Sequence, residues 1–142
     1  MFTKSAPYYD AIYAAKDYAA EAARLRALIE RHKRSAGNAL LDVACGTGGH
    51  LPHLRSHFDV QGLDIQPEML EIARNRCRDV PLHLGDMVDF VLPDRFDVVT
   101  CLFSSIAYVR TVPHLQQAMQ SMARHLVHGG VLIVDPFHLR GA

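Results

Sequence analysis

Apolar and polar positions alternate along this chain in blocks whose lengths predict strands separated by helices. Five apolar runs each have the length of a β-strand: 39–44, 60–64, 81–84, 96–103 and 131–135. Between most of them, apolar residues recur every three or four positions, as in a helix with one buried face. Strands that alternate with helices pair in parallel, because a parallel neighbour needs a crossover. The pattern therefore predicts an α/β fold, a doubly wound parallel sheet between two helical layers.

The helical spacing occupies four segments: 14–34, 47–58, 67–77 and 113–127. The first has an apolar stripe formed by Tyr18, Ala22, Leu25 and Ile29. The last has one formed by Leu115, Met119, Met122 and Leu126. We expect Gly129 and Gly130 to end that last helix before the fifth strand. We also expect a single domain over residues 1–142, with a helical segment at 1–36 and the α/β core at 37–142.

Composition and charge narrow the class of ligand. The chain has 142 residues, of which 49% are hydrophobic, and its 15 basic residues balance its 15 acidic ones. No net field draws it to nucleic acid or to an anionic membrane. Cys45, Cys77 and Cys101 are odd in number and lack CxxC spacing, which argues against a disulfide framework or a zinc knuckle. We expect a cytoplasmic protein with a small-molecule ligand and no nucleic-acid or membrane partner.

Glycines and polar residues follow four successive predicted strands. They lie at 42–48 (DVACGTG), at Asp64, at 85–87 (GDM) and at 101–105 (CLFSS). In a doubly wound sheet the ligand binds outside the carboxyl ends of the strands, so the fold would bring these features into one crevice. Each one alone can be an ordinary turn, helix cap or solvated loop. Four of them at consecutive strand ends favour a binding site.

The residue types at these strand ends suit an adenosine group. Gly46 and Gly48 allow a sharp turn and the close approach of a ligand. Asp64 can accept hydrogen bonds from both hydroxyls of a ribose. Asp86 can accept one from an exocyclic amine while Met87 covers a flat ring.

Two common phosphate-binding patterns are missing from the glycine turn. A dinucleotide fingerprint requires a third glycine where Leu51 stands, which argues against a nicotinamide-dependent oxidoreductase. A phosphate-binding loop requires GK[ST] after the turn, and the sequence continues GGHLP instead. We therefore expect an adenosine ligand without a phosphate.

These motifs resemble those of the class I S-adenosylmethionine-dependent methyltransferases, in which the first turn reads like DxACGTG. The resemblance continues through GLDIQPEMLEIAR, GDM, FDVVTCLFSSIAYV and HLVHGGVLIVDPF, and so covers nearly the whole chain. More narrowly, YDAIY, KDYAAEAARL, DVACGTGGHL and FSSI are similar to bacterial enzymes that N-methylate the amino group of nucleotide-linked deoxysugars. The resemblance implies S-adenosyl-L-methionine as cofactor and a small-molecule acceptor.

The resemblance also implies roles for individual residues. The cofactor site it implies consists of Asp42, Ala44, Cys45, Gly46, Thr47, Gly48, Asp64, Ile65, Met69, Gly85, Asp86, Met87, Leu102 and Ser104. By this pattern the glycines lie under the methionine part, Asp64 holds the ribose, and Asp86 binds the adenine amine. The backbone carbonyl of Leu102 would lie near the α-amine. Tyr13 matches a tyrosine beside the transferred methyl group in the sugar-modifying enzymes, although it can equally be a packing residue.

Three histidines raise the question of a metal. His50, His53 and His57 have spacings that can place them on one helix face, where they could bind a metal ion. No Asp or Glu occurs on that stretch, and the implied chemistry needs no metal. We therefore favour a polar helix face and expect no metal site.

The sequence departs from the family pattern at its C-terminal side. The usual fold has seven strands, the last two forming an antiparallel hairpin, and here we expect a three-layer fold truncated after strand five. Strand five is apolar on both faces and would lie near an unpaired sheet edge, which can pair with another chain. We expect a homodimer or swapped assembly through that edge, or else a fragment of a longer parent. Two functions remain open: an active methyltransferase acting on an amine or hydroxyl, and a cofactor-binding module completed by oligomerisation or a partner.

Overall fold

The structure, a computed structural model, describes residues 17–102 and 111–135. Along these ranges, no helix has the length and the apolar composition that a membrane crossing requires. The helices and strands, in chain order, are α1 (Tyr18–His32), β1 (Ala39–Val43), α2 (Leu51–Leu54), β2 (Asp59–Asp64), α3 (Pro67–Arg76), β3 (Leu82–Leu84), β4 (Phe96–Cys101), α4 (Val112–Arg124) and β5 (Leu126–Val134).

The strands form one parallel sheet in the order β3-β2-β1-β4-β5. Leu40 of β1 is in register with Val60 of β2 on one side and with Val98 of β4 on the other. The chain builds the sheet outward from β1 to β3 and then crosses to the opposite side of β1 to form β4. The strand order therefore reverses between β1 and β4, which is where open α/β sheets bind their ligands. The predicted doubly wound α/β architecture is confirmed.

Alternate residues of the strands supply two separate hydrophobic cores. One core lies between the sheet and the first three helices and includes Leu25, Ile29, Leu40, Leu51, Leu70 and Val98. The other lies between the sheet and α4 and includes Leu41, Val43, Val99, Ala118 and Met122. Neighbouring residues such as Leu40 and Leu41 enter opposite cores because side chains alternate across a strand. This packing gives the helix–sheet–helix layering that the sequence predicts.

The predicted helix at 47–58 is wrong in extent, because α2 has only four residues. The preceding segment forms a turn in which Ala44, Gly46 and Gly48 all have positive φ, at 58°, 58° and 79°. A right-handed helix needs negative φ, so it starts only after this turn. Pro52 lies at its beginning, where proline is tolerated.

The expected stop of α4 at Gly129 and Gly130 is also wrong. The helix ends at Arg124, and both glycines lie inside β5. Their segment bulges out of the β4–β5 register, which jumps from Phe96–Leu126 to Val98–Val131. The carbonyl of Gly129 accepts the N–H groups of Arg34 and Ser35, at 2.9 and 3.0 Å. The bulge thus binds the connection between α1 and β1.

Candidate functional site

A glycine turn after β1 lies over the carboxyl end of β2. The Cys45 N–H donates to the Leu63 carbonyl at 3.0 Å, and the Gly48 N–H closes the turn on the Cys45 carbonyl at 3.0 Å. The Gly46 N–H donates to the Asp64 carboxylate, Oδ2, at 2.8 Å. The first two strand ends singled out in the sequence therefore meet through direct hydrogen bonds.

Asp64 is held by backbone donors on both carboxylate oxygens. While Oδ2 accepts from Gly46, Oδ1 accepts from the Gln66 N–H at 2.9 Å. Burial raises the pKa of Asp64, and these backbone hydrogen bonds oppose the rise. The Ile65 N–H is a third backbone donor to this carboxylate, whose two oxygens have four lone pairs, so capacity for a further donor remains. The result is an oriented carboxylate at the edge of the crevice that can receive a hydroxyl group.

Asp42 is a second acid beneath the turn, and it is almost fully enclosed. It is 2% exposed and accepts a hydrogen bond from Thr100 Oγ1 at 2.9 Å. Burial raises its pKa to about 6; the nearby His50 and the Thr100 hydroxyl oppose this rise, and the charge of Asp64 adds to it. Two carboxyl groups in one poorly solvated crevice favour a ligand that carries positive charge.

The two glycines of the GTG motif meet different surroundings. Apart from the two residues next to it in the chain, no described residue has an atom within 4 Å of the place that a Cβ on Gly46 would take. A Cβ on Gly48 would lie 3.1 Å from the Ala73 Cβ on α3. Gly46 thus leaves room for a ligand, whereas Gly48 allows α3 to pack against the turn.

α3 also fastens the turn through polar groups near its C-terminus. The Arg76 guanidinium donates from Nη1 to the carbonyl of Thr47 at 3.1 Å and to its hydroxyl at 3.2 Å. The Cys77 thiol donates to the Gly48 carbonyl at 3.9 Å. Burial raises the pKa of Cys45 well above its usual value, so this neighbouring residue is a neutral thiol. The turn is thereby held on the side facing α3.

At the end of β3 the polar and apolar groups are more exposed. The Gly85 N–H donates to the Asp64 carbonyl at 2.9 Å, which places the third strand end beside the second. Asp86 is exposed, and its side chain accepts from the Val88 N–H at 3.0 Å. Ile65 is 55% exposed, while Met87 is half-buried against the α4-side core. These strand ends present an accessible carboxylate and an accessible apolar side chain.

The other predicted site residues are buried or lie outside the described ranges. Met69 on α3 is 2% exposed, and Leu102, directly after β4, is 8% exposed. Tyr13 and Ser104 lie outside the residues that the structure describes. The structure thus brings together the residues at the ends of β1, β2 and β3.

The sequence did not reveal the contact between α1 and the end of the turn. His50 Nε2 lies 2.8 Å from Glu21 Oε1, and the His50 ring meets the Tyr18 ring edge-on with centroids 4.8 Å apart. The Tyr18 ring also covers Gly49, where a Cβ would lie 2.5 Å from the ring carbons. The sequence places Tyr18 in the apolar stripe of α1. That stripe predicts a buried helix face but not the residues against which the face packs.

The three histidines considered as metal ligands do not share one helix face. His50 precedes α2 and turns inward, whereas His53 and His57 are exposed. Across 17–102 and 111–135, no group of three or more His, Cys, Asp or Glu side chains could hold a metal ion.

Comparison with known proteins identifies the family. The methyltransferase domain family matches residues 40–130. This chain belongs to that family. The match includes the glycine turn, Asp64, Asp86 and β4, and members of the family use S-adenosylmethionine.

Relatives of this chain include sugar-modifying enzymes. It is 46% identical over 135 residues to the dTDP-4-amino-2,3,4,6-tetradeoxy-D-glucose N,N-dimethyltransferase of Saccharopolyspora spinosa, covering 93% of this chain and 54% of that one. Among solved structures, Streptomyces venezuelae DesVI superposes with a TM-score of 0.86 at 45% identity, covering 91% of this chain and 56% of that one. CalS10, an amino pentose methyltransferase from Micromonospora echinaspora, was solved with S-adenosylmethionine bound. It superposes with a TM-score of 0.87 at 40% identity, covering 94% and 58%. The chain therefore spans about half the length of the relatives that it matches.

Proposed function

We propose that this chain binds S-adenosylmethionine at the ends of β1, β2 and β3, and that the protein transfers the methyl group to the amine of a nucleotide-linked aminosugar. The hydrogen bond between the Gly46 N–H and the Asp64 carboxylate carries this proposal. This hydrogen bond places the glycine turn, where the methionine part would lie, next to the oriented carboxylate that would bind the adenosine part. The names of the relatives support the acceptor class.

The site residues divide by the part of the cofactor that each would contact. Asp64 would bind the ribose hydroxyls, Asp86 the adenine amine, and Ile65 with Met87 the faces of the adenine ring. The remaining proposed cofactor contacts are Asp42, Ala44, Cys45, Gly46, Thr47, Gly48, Met69, Gly85, Leu102 and Ser104. Tyr13 would lie beside the transferred methyl group.

The negative charge of the crevice suits this cofactor. S-adenosylmethionine carries a sulfonium and an ammonium group against one carboxylate, and so has a net positive charge. The buried acids Asp42 and Asp64 favour such a ligand over one that carries phosphates. The sulfonium supplies a good leaving group: a carbon–nitrogen bond to the acceptor forms as the carbon–sulfur bond breaks, and the amine gives up a proton. Holding the two reactants close and in line then supplies most of the rate.

A calorimetric titration with S-adenosylhomocysteine tests the cofactor site. Asp64→Ala removes two charge-assisted acceptors, each worth about 1.5–3 kcal/mol, so we expect the affinity to fall at least about tenfold. Asp59→Ala is the matched control, because Asp59 lies at the opposite end of the same strand and is exposed. The proposal fails if the product does not bind or if Asp64→Ala leaves its affinity unchanged.

A turnover assay separates the two functions left open by the sequence. Methyl transfer from labelled S-adenosylmethionine to a panel of aminosugar nucleotides would establish an active enzyme. Cofactor binding without transfer would favour the second candidate, a binding module that a partner or a second copy completes. Tighter binding of NADH than of S-adenosylhomocysteine would instead indicate an oxidoreductase.

We further propose that the protein acts in the cytoplasm and forms a homodimer through β5. Within the described residues, β5 pairs with β4 on one side and has no strand on its other side. A strand of this kind presents unpaired N–H and C=O groups that a second copy can use. β5 has nine residues, and the four that follow the bulge are all Val, Leu or Ile, which favours burial of this edge.

A further inference from the structure

We propose that Glu21, His50 and Tyr18 form a latch that docks the N-terminal half of α1 on the glycine turn and so positions the turn for the cofactor. The inference rests on the proposed function, because the positioning is defined relative to S-adenosylmethionine. It concerns residues outside the cofactor contacts given above. His50 and Glu21 act here as positioning residues.

The polar part of the latch is a short contact in partly buried surroundings. His50 Nε2 and Glu21 Oε1 are 2.8 Å apart, with 8% and 31% of their side chains exposed. Taking such groups out of water costs free energy that the contact does not always repay, so an ion pair of this kind is weak evidence for stability alone. It does, however, fix one geometry between two elements. Here it fixes α1 relative to the last residue of the turn.

The aromatic part of the latch reaches the backbone of the turn. A Cβ on Gly49 would lie 2.5 Å from Tyr18 Cε1, which is closer than real Cβ contacts, so the ring lies directly on the glycine. The same ring packs edge-on against His50, at 4.8 Å and 84°. Tyr18 therefore contacts both residues that join the turn to α2.

The rest of α1 is anchored independently of the latch. Ala22, Leu25 and Ile29 are buried in the core on the α1 side of the sheet, and Ile29 is completely buried. Loss of the Glu21–His50 contact would therefore release the first turn of α1, from Tyr18 to Glu21, and leave the helix packed from Ala22 onward. The start of α1 can therefore move while the rest of the helix stays packed.

Two consequences of the latch reach the reaction site. The latch touches the turn that carries Gly46, and it holds His50 near Asp42, where His50 opposes the rise in the pKa of Asp42 that burial causes. Weakening the latch would therefore loosen the cofactor turn.

A double-mutant cycle tests the latch. Glu21→Ala and His50→Leu are expected to weaken S-adenosylhomocysteine binding by about tenfold each, and the double variant by little more than either, because they break one shared contact. His50→Gln, whose amide can still donate to Glu21, is expected to recover most of the affinity. Glu30→Ala is the matched control, since Glu30 is exposed later on the same helix and pairs with Arg26. In turnover assays the variants should lower kcat as well as raise KM.

Hydrogen exchange on the unaltered protein gives a second readout that no folding defect can obscure. Coupling between two sites is reciprocal, so S-adenosylhomocysteine should slow amide exchange in the first turns of α1 more than around Ile29. Additive losses in the cycle, or unchanged exchange in α1 on saturation with product, would overturn the latch while leaving the cofactor site intact. A wild-type chain that binds no product at all would instead overturn the proposed function, and the latch with it.

Discussion

Single residues of the crevice show how burial and hydrogen bonding assign different tasks to similar groups. Asp42 and Asp64 lie near the carboxyl ends of the adjacent strands β1 and β2, and Asp42 is in register with Gly62. Asp64 accepts hydrogen bonds from the backbone of Gly46, Gln66 and Ile65, while Asp42 is enclosed beside Thr100. We infer that Asp64 makes the main hydrogen bonds to the cofactor, whereas Asp42, the more enclosed acid, contributes chiefly to the negative charge of the crevice. Burying an ionised Asp42 costs free energy, so this residue should lower the free energy of unfolding at neutral pH.

The first prediction concerns the pH dependence that Asp42 imposes. Burial raises its pKa from 3.8 to about 6, so between these pH values the folded chain holds a proton that the unfolded chain has lost. The free energy of unfolding therefore falls as pH rises through this window, and the loss is complete above about pH 6. A shift of this size corresponds to about 3 kcal/mol.

We accordingly expect Asp42→Asn to stabilise the protein at pH 7 by up to about 3 kcal/mol and to leave it almost unchanged at pH 4. Urea denaturation of both proteins at pH 4, 5, 6 and 7 measures the difference. Asp59→Asn, at an exposed position of β2, serves as control. If Asp42→Asn stabilised the protein equally at every pH, the buried charge of Asp42 would not be the cause of the stabilisation.

The second prediction separates the two glycines of the turn. Both have positive φ, which costs a residue with a Cβ about 1–2 kcal/mol. Gly48→Ala would add a 3.1 Å contact with Ala73, so it should destabilise the protein more than Gly46→Ala, whose Cβ meets no described atom. Gly46→Ala should instead weaken S-adenosylhomocysteine binding by at least about tenfold, because its Cβ would enter the cofactor space. Thermal unfolding and calorimetry on the pair measure both effects, and the reverse ranking would show that the ligand lies elsewhere.

At the scale of helices and strands, the sequence was informative wherever a repeating pattern matched a buried face. The stripe of α1 was predicted from its spacing, and Ala22, Leu25 and Ile29 are indeed buried. The alternation of strands and helices gave the parallel sheet. Met119 was expected in the stripe of α4, but it is 36% exposed, and Ala118 and Ser121 are buried with Met122. Apolar spacing identified the helix but only part of its buried face.

The elements that were predicted wrongly depend on tertiary contacts. Residues 47–58 have helical spacing, yet the turn before α2 is fixed by the hydrogen bond from Cys45 to Leu63 on the neighbouring strand. Gly129 resembled a helix stop, but it belongs to a bulge that receives the N–H groups of Arg34 and Ser35. Neither contact has a local signature. The same holds for Glu21 and His50, which are 29 positions apart and meet only once α1 is docked.

For the whole molecule, the meeting of the strand ends was predictable because parallel topology alone places them at one edge of the sheet. The topology predicts that Gly46 and Asp64 lie close together, and in the structure the Gly46 N–H donates to the Asp64 carboxylate at 2.8 Å. The extent of the domain is a different matter. That residues 1–142 form one domain, with 1–36 as a helical segment, stays a prediction, as do the roles of Tyr13 and Ser104.

The last prediction concerns the outer edge of β5. The Asp135 N–H donates to the Cys101 carbonyl of β4 at 2.9 Å. Because alternate residues of a strand face the same neighbour, the N–H of Val134 points away from β4, toward the side without a described strand.

If a second copy pairs there, sedimentation at micromolar concentration should show a dimer. Val134→Pro removes the outward N–H and should give a monomer, since proline is tolerated at an edge but cannot donate. Val134→Thr keeps the N–H and the branched side chain and should stay dimeric. A monomeric parent chain, or a Val134→Pro variant that still dimerises, would show that β5 is not the interface.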